Sequence, residues 1–180
     1  MINEPILFIL CPSGAGKTDL GKYLQEKLKL LHFDFDVWLR PDPIKDLSLG
    51  DEWDELYNDR KPKKFADKIR KRSQAKSCRG GAISFAGNCI FSKEFLLSLA
   101  PLGFRCVILY GTGADCLNSF LKREKANERG LDINHWLTFN TQSYATLSLP
   151  ELEEFRLNVF NNKGRRPNSQ ILEEIKSRLS

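Results

Sequence analysis

The sequence predicts an α/β fold in which a parallel β-sheet lies between two layers of helices. An apolar run at residues 6–10 predicts a buried strand, and leucines spaced three and four apart over residues 20–31 predict a helix directly after it. Strands and helices then alternate along the chain, which is typical of a parallel sheet covered by helices. The 180 residues are enough for one domain with a substantial core.

The remaining elements follow from apolar periodicity and from helix and turn signals. Pro62 favours a helix start, and Gly130 favours a helix end. The later strands are predicted at residues 32–39, 82–86, 104–110 and 155–160. The later helices are predicted at about residues 51–59, 62–77, 92–100, 115–128 and 133–147, with a C-terminal helix marked by Ile171, Leu172, Ile175 and Leu179.

The stretch from Cys11 to Thr18, between the first strand and the first helix, predicts a phosphate-binding loop. Glycines in such a loop allow backbone N–H groups to surround a phosphate, and the helix N-terminus adds partial positive charge. Lys17 would reach the β- and γ-phosphates, and the hydroxyl of Thr18 would ligate Mg²⁺. The predicted nucleotide-binding residues are Ser13, Gly14, Ala15, Gly16, Lys17 and Thr18.

One position departs from the usual loop pattern, because Cys11 stands where a glycine is expected. A cysteine fits there if its backbone angles are ordinary. The alternative is a Gly/Ser-rich turn with a chance Gly-Lys-Thr sequence, but the strand before it and the helix after it favour the phosphate-binding interpretation.

Two carboxylates, Asp34 and Asp36, lie in the second predicted strand. Their spacing places both side chains on one face of that strand. Aspartate is a poor strand former, and ligands of open α/β sheets bind at the carboxyl ends of the strands. These aspartates are therefore candidate site residues, although Asp36 could instead cap the following turn.

Charge is distributed unevenly along this chain of net charge +5. Seven acidic residues and one lysine occupy residues 42–59, whereas ten basic residues and one aspartate occupy residues 60–79. The two segments could be solvated helices that partly neutralise each other, or the basic one could attract an anionic substrate or nucleic acid.

The composition excludes several other classes of protein. Five scattered cysteines and two histidines make a zinc cluster improbable, so we expect reduced thiols, some of them buried. No apolar stretch approaches bilayer length, and no targeting segment is evident. We therefore expect a cytoplasmic protein without a membrane partner.

With this loop, the Phe33–Asp36 segment and an arginine-bearing helix, the chain resembles the small P-loop kinases. The closer likeness is to the chloramphenicol phosphotransferases, the zeta-toxin-type kinases and the polynucleotide 5′-kinases. The resemblance implies a P-loop NTPase fold of three α/β/α layers, with a five-stranded parallel sheet of order 2-3-1-4-5 and a short lid. It also implies one kinase domain over residues 1–180, with an acceptor-binding insertion at 42–79 and a lid at about 123–134.

The resemblance also implies catalytic and binding roles for individual residues. Asp36 matches the base that accepts the proton of the acceptor hydroxyl, and Asp34 would contact Mg²⁺ through water or contact the acceptor. Arg123 matches an arginine near the adenine or the phosphates, and Arg129 matches a lid arginine that stabilises the transferred phosphoryl group. Both arginines could instead belong to a solvated helix end. Asn162 lies among residues 161–164, which would line the adenine pocket.

These features predict ATP and Mg²⁺ as cofactors and transfer of a phosphoryl group to a hydroxyl of a small or nucleotide-like acceptor, with an anionic one favoured by the basic segment. A Gly-Gly-Gly run expected of shikimate kinase is absent, which disfavours shikimate. Two alternatives remain at this stage: a kinase of polynucleotide 5′-hydroxyl ends, and an ATP-binding NTPase or switch without an acceptor.

Overall fold

A computed structural model describes residues 4–35, 49–58, 60–86, 91–127 and 132–179. Its main sheet has five parallel strands in the order β2-β3-β1-β4-β5, as expected from the sequence. The strands are β1 (Ile6–Cys11), β2 (Leu30–Asp34), β3 (Gly80–Ala86), β4 (Phe104–Tyr110) and β5 (Arg156–Asn158).

The helices fall close to their predicted positions. They are α1 (Lys17–Leu28), α2 (Gly50–Tyr57), α3 (Pro62–Ala75), α4 (Lys93–Ser98), α5 (Gly113–Asn127), α6 (Ile133–Leu147) and α7 (Asn168–Leu179). Short 3₁₀ helices occupy Ala100–Leu102 and Pro150–Phe155.

The central strand β1 is buried at every position because helices cover both faces of the sheet. Ile6, Phe8 and Leu10 face a core that includes residues of α2, α3, α4 and the end of α6. Leu7 and Ile9 face a second core, formed with α1, α7 and part of α5. A strand buried on both faces is apolar throughout, which is why this run was recognisable in the sequence.

Two predicted strands require correction. The second strand begins at Leu30 and ends at Asp34, so Phe35 already lies beyond it, and residues 36–39 lie outside the described residues. The last strand ends at Asn158 rather than continuing through 160. The side-chain Oδ1 of Asn158 accepts a hydrogen bond of 3.0 Å from the backbone N–H of Phe160, and this local bond turns the chain.

A small antiparallel hairpin follows that turn and was not predicted. It pairs β6 (Phe160–Asn161) with β7 (Gly164–Arg165). Gly164 has φ +103°, a conformation that glycine adopts without strain. The hairpin carries Arg165 back towards the loop that follows β1.

No helix in the described part of the chain is long and apolar enough to cross a membrane.

Candidate active site

The loop after β1 has the conformation of a phosphate-binding loop and ends at the N-terminus of α1. Gly14 has φ +92° and Gly16 has φ +83°, and Gly16 is the N-cap of α1. A Cβ on Gly14 would lie 2.2 Å from the backbone oxygen of Cys116 in α5. Glycine is therefore required at Gly14 both by its backbone angles and by the close approach of α5.

Cys11 occupies the first loop position without disturbing the loop. It is the last residue of β1, pairs with Ala86 of β3, and is 1% exposed. The expectation that a thiol fits here is confirmed. Among the described cysteines, Cys11, Cys78, Cys106 and Cys116 are all free thiols, as expected.

A cavity of about 340 Å³ opens above the loop, and we call it the phosphate cavity after the ligand that the sequence predicts for this loop. Lys17, at the first position of α1, lines this cavity although only 7% of its surface is exposed. A lysine that lines a concave site at a helix N-terminus suits a phosphate. The cavity is lined by Cys11, Gly14, Gly16, Lys17, Thr18, Asp19, Ser119, Arg123 and Arg165. Of the predicted loop residues, Ser13 and Ala15 are buried and do not line it.

Thr18 and Asp34, the two predicted metal ligands, lie together. The hydroxyl of Thr18 donates a 2.8 Å hydrogen bond to Oδ2 of Asp34, which joins the start of α1 to the carboxyl end of β2. Because the hydroxyl proton points to the carboxylate, the lone pairs of Thr18 Oγ1 remain available for a cation.

This pair fits the way proteins bind Mg²⁺ beside a nucleotide. Among the described residues, no group of three or more His, Cys, Asp or Glu side chains could hold a metal ion. Mg²⁺ in kinases is bound by one or two protein oxygens, with phosphates and water supplying the others. Thr18 and Asp34 provide that small set beside the phosphate cavity.

Arg165 is a site residue that the sequence analysis missed. Its Nε donates to the backbone oxygen of Ala15 at 3.1 Å, and its Nη2 contacts the oxygens of Gly16 at 3.4 Å and of Asn168 at 2.8 Å. Burial lowers the pKa of the guanidinium, whereas Asp19 raises it. Arg165 thus ties the hairpin to the loop and places a positive charge on the wall of the phosphate cavity.

The sequence analysis reached the residues next to Arg165 but not Arg165 itself. Residues 161–164 were already predicted to line the adenine pocket, and Arg165 follows them directly. A Cβ on Gly16 would lie 2.3 Å from Nε of Arg165, so the loop glycine makes room for this guanidinium.

Of the two predicted arginines and the predicted base, Arg123 lies within the described residues. Arg123, on α5, lines the phosphate cavity, with its guanidinium 5.4 Å from the ring centre of Phe120 and 2.7 Å from a carboxylate oxygen of Glu124. Asp36 and Arg129 lie outside the described residues. The structure therefore brings Arg123 to the loop.

Asn162 lies in the turn of the β6–β7 hairpin, in a second, more open cavity of about 610 Å³. Arg165 lines both this cavity and the phosphate cavity, so the two adjoin. Asn161, Asn162, Lys163, Arg165, Pro167 and Gln170 line the second one. The asparagine amides offer hydrogen-bond donors and acceptors suited to a purine edge.

Within the basic segment, several side chains of α3 have partners. Lys63 pairs with Asp67 at 2.6 Å, and Lys64 pairs with Glu55 of α2 at 2.8 Å. Arg70 donates to a backbone oxygen of the 3₁₀ helix that precedes β4. The apolar stripe of α3 is buried at Phe65, Ala66 and Ile69. For this part of the segment, the structure agrees with helices that partly neutralise each other.

The solved structures that this chain is similar to include kinases of small molecules. A sugar kinase from Janibacter sp. HTCC2649 has a TM-score of 0.58 at 19% identity, over 97% of this chain and 94% of the other. A gluconokinase from Sinorhizobium meliloti 1021 has a TM-score of 0.54 at 17% identity, over 99% and 93%. A shikimate kinase from Acinetobacter baumannii, in complex with shikimate, has a TM-score of 0.54 at 20% identity, over 98% and 95%.

At such low identities the likeness establishes the fold, which is that of the small P-loop kinases. No family model and no curated protein matches the sequence.

Proposed function

We propose that this protein is an ATP-dependent phosphotransferase that moves the γ-phosphate to a hydroxyl of a small or nucleotide-like acceptor. The observation that carries the proposal is the Thr18–Asp34 hydrogen bond beside the phosphate cavity. This bond joins Thr18, which is both the end of the predicted phosphate-binding loop and the proposed magnesium ligand, to the carboxylate of Asp34 at the carboxyl end of β2. Phosphoryl transfer requires mainly alignment and charge neutralisation, and these groups are suited to both.

On this proposal, the loop and Lys17 hold the β- and γ-phosphates, and Thr18 holds Mg²⁺, with Asp34 fixing the direction of its hydroxyl. Mg²⁺, when bound, would neutralise charge on the β- and γ-oxygens. Asp36 orients the acceptor hydroxyl and takes its proton. The cavity beside Asn162 takes the adenine.

The arginines complete the charge balance of the proposed site. Arg123 faces the phosphate cavity from α5, and Arg129 belongs to the predicted lid at residues 123–134. Guanidinium groups can stabilise the charge that spreads over the transferred phosphoryl oxygens. The α2–α3 segment lies between β2 and β3 on one face of the sheet, in the region proposed for the acceptor.

The acceptor is proposed as a small hydroxylated molecule, and the basic composition of residues 60–79 favours an anionic one. The solved structures of similar fold include a gluconokinase, a sugar kinase and a shikimate kinase, which supports a small hydroxylated acceptor. Among the small P-loop kinases, we propose that the chain is most like the chloramphenicol phosphotransferase, zeta-toxin and polynucleotide-kinase group. A polynucleotide 5′-hydroxyl acceptor would give activity that falls steeply with salt, because phosphate contacts release counterions.

The test uses γ-labelled ATP with Mg²⁺ and three acceptor pools: hydroxylated metabolites, nucleosides with sugar nucleotides, and 5′-hydroxyl oligonucleotides. Label should enter one pool with the wild-type protein and be nearly lost with Asp36→Asn. Glu173→Gln is a matched control, because that carboxylate lies exposed on α7 and pairs with Lys176. Equal release of free phosphate by all three proteins, without a labelled acceptor, would show an NTPase or switch instead.

A further inference from the structure

The buried side of α6 carries polar groups at positions where a core helix carries apolar ones. Asn140, Ser143 and Leu147 follow a spacing of three and four residues and form one stripe. Their exposed fractions are 4%, 1% and 1%. Leu147 belongs to the core on the α2–α3 side of the sheet.

One side-chain oxygen of each polar residue in this stripe is buried without a hydrogen-bond partner among the described residues. Neither Oδ1 of Asn140 nor the hydroxyl of Ser143 has a hydrogen-bond partner within the part of the chain that the structure describes. Buried polar groups are nearly always satisfied, and an unsatisfied one retains its full cost of desolvation. Two such groups one turn apart on one stripe indicate a site that a ligand completes.

A tyrosine pair locates the stripe in the fold. The hydroxyl of Tyr110, at the carboxyl end of β4, lies 3.1 Å from that of Tyr144 and donates to Ser148 at 3.2 Å. The C-terminal half of α6 is thus anchored at the edge of the sheet where the phosphate loop lies. Asn140 lies one turn nearer the predicted lid than Tyr144, or about 6 Å along the helix.

The helix also packs against β1, the strand that leads into the phosphate loop. Leu147, at the C-terminal end of the stripe, lies on the sheet face that carries the α2–α3 segment rather than on the face covered by α1 and α7. This is the side where the acceptor is expected.

The chemistry of α6 defines what it can bind. An amide oxygen accepts a hydrogen bond, and a serine hydroxyl both donates and accepts. The sequence of Ile133–Leu147 contains no Asp, Glu, Lys or Arg. Apart from His135, the helix therefore offers no ionisable side chain of these kinds to a charged group, whereas alcohol hydroxyls match both Asn140 and Ser143.

From these observations we infer that Asn140 and Ser143 form a subsite for uncharged hydroxyl groups of the phosphate acceptor. The acceptor is then a polyhydroxylated small molecule whose alcohol groups reach α6, whatever charge another part of it carries. This inference rests on the proposed kinase function.

The test compares Asn140→Leu and Ser143→Ala with Gln142→Leu and Thr141→Ala, which change exposed side chains of the same helix. The probes are glucose, sorbitol, gluconate, shikimate and a 5′-hydroxyl oligonucleotide. For each, binding in the presence of Mg²⁺ and a non-hydrolysable ATP analogue is measured by calorimetry, and transfer is measured with γ-labelled ATP.

For a polyol probe, the two stripe variants should raise the KM and the dissociation constant about tenfold or more, as loss of a buried hydrogen bond predicts, with ATP affinity unchanged. The control variants should match the wild type. Thermal unfolding should show stripe variants at least as stable as the wild type, since removing an unsatisfied group does not destabilise a core. Ser143→Ala, the smaller change, carries the test if Asn140→Leu does not fold.

The experiment distinguishes failure of the proposed subsite from failure of the proposed kinase function. Polyol binding that is lost in the stripe variants, without any transfer, would support the subsite and refute the kinase. Transfer to a polyol that the stripe variants perform as well as the wild type would overturn the subsite and leave the kinase. A protein that binds no polyol, or only the oligonucleotide, would also overturn the subsite.

Discussion

Replacement of Arg165 by alanine should weaken ATP binding much more than replacement of its neighbour Arg166. Arg165 contacts the backbone oxygens of Ala15 and Gly16 and adds positive charge to the phosphate cavity. Arg166 instead donates to the oxygen of Asn158 at 2.6 Å and pairs with a glutamate on α7, away from the loop. The two variants therefore remove similar side chains with different contacts.

The size of the effect follows from the hydrogen bonds. A hydrogen bond involving a charged group contributes about 1.5–3 kcal/mol. Arg165 is half-buried and its contact with Gly16 is long, at 3.4 Å, so we take about 1.5–2 kcal/mol for its effect on the loop. Since about 1.4 kcal/mol corresponds to a factor of ten, the dissociation constant for ATP should rise about 10- to 30-fold.

Titration with a fluorescent ATP analogue would measure the affinity for ATP, and urea unfolding would measure the free energy of unfolding. Arg166→Ala should lower stability with ATP affinity nearly unchanged, and Arg165→Lys should recover only part of the loss because an ammonium cannot span both carbonyl oxygens. Equal ATP affinities for Arg165→Ala and Arg166→Ala would refute this reasoning.

Three further predictions concern the same region. Gly14→Ala should lower the free energy of unfolding by about 2–4 kcal/mol, because its Cβ would meet the Cys116 carbonyl at positive φ; Gly164→Ala, with open space around the Cβ, should cost less in the same urea titration. Thr18→Val should raise the Mg²⁺ concentration for half-maximal ATP binding about tenfold while Thr18→Ser retains it, and equal values would contradict magnesium ligation. Burial lowers the pKa of His32 below its ordinary value of 6.5. The folded protein should therefore lose stability as pH falls from about 7.5 to 5.5, because the unfolded chain binds the proton more readily. In urea unfolding, His32→Gln should reduce this dependence of the unfolding free energy on pH.

The sheet and the loop were predictable because their sequence signals are local. Strand β1 is apolar on both faces, and the glycines, Lys17 and Thr18 follow it without a gap. The sheet order came from the resemblance, and the structure confirms it. The error in β2 has a local cause too, since the alternation of residues 32–39 continues past Asp34 whereas the strand does not.

The role of Arg165 was not predictable from local pattern. Its acceptors are backbone oxygens about 150 positions earlier in the chain, and backbone oxygens have no sequence signature. Only the hairpin geometry brings the guanidinium there, and the last predicted strand ended at residue 160, where the hairpin begins, so the hairpin itself was not predicted. Long-range contacts between a side chain and a backbone are therefore where the sequence analysis of this candidate site failed.

The stripe on α6 illustrates the opposite case, in which a broken pattern carries information. Periodicity assigns polar residues to the solvent side of a helix, yet the spacing of Asn140, Ser143 and Leu147 places all three on one face, and that face is buried. A polar group at a core position destabilises the folded state unless it has a hydrogen-bond partner. Such conflicts between sequence and structure concentrate at functional sites. The absence of Asp, Glu, Lys and Arg from the whole helix was visible in the sequence. Together with the buried amide, it favours alcohol groups over carboxylates or phosphates as the occupants of that face.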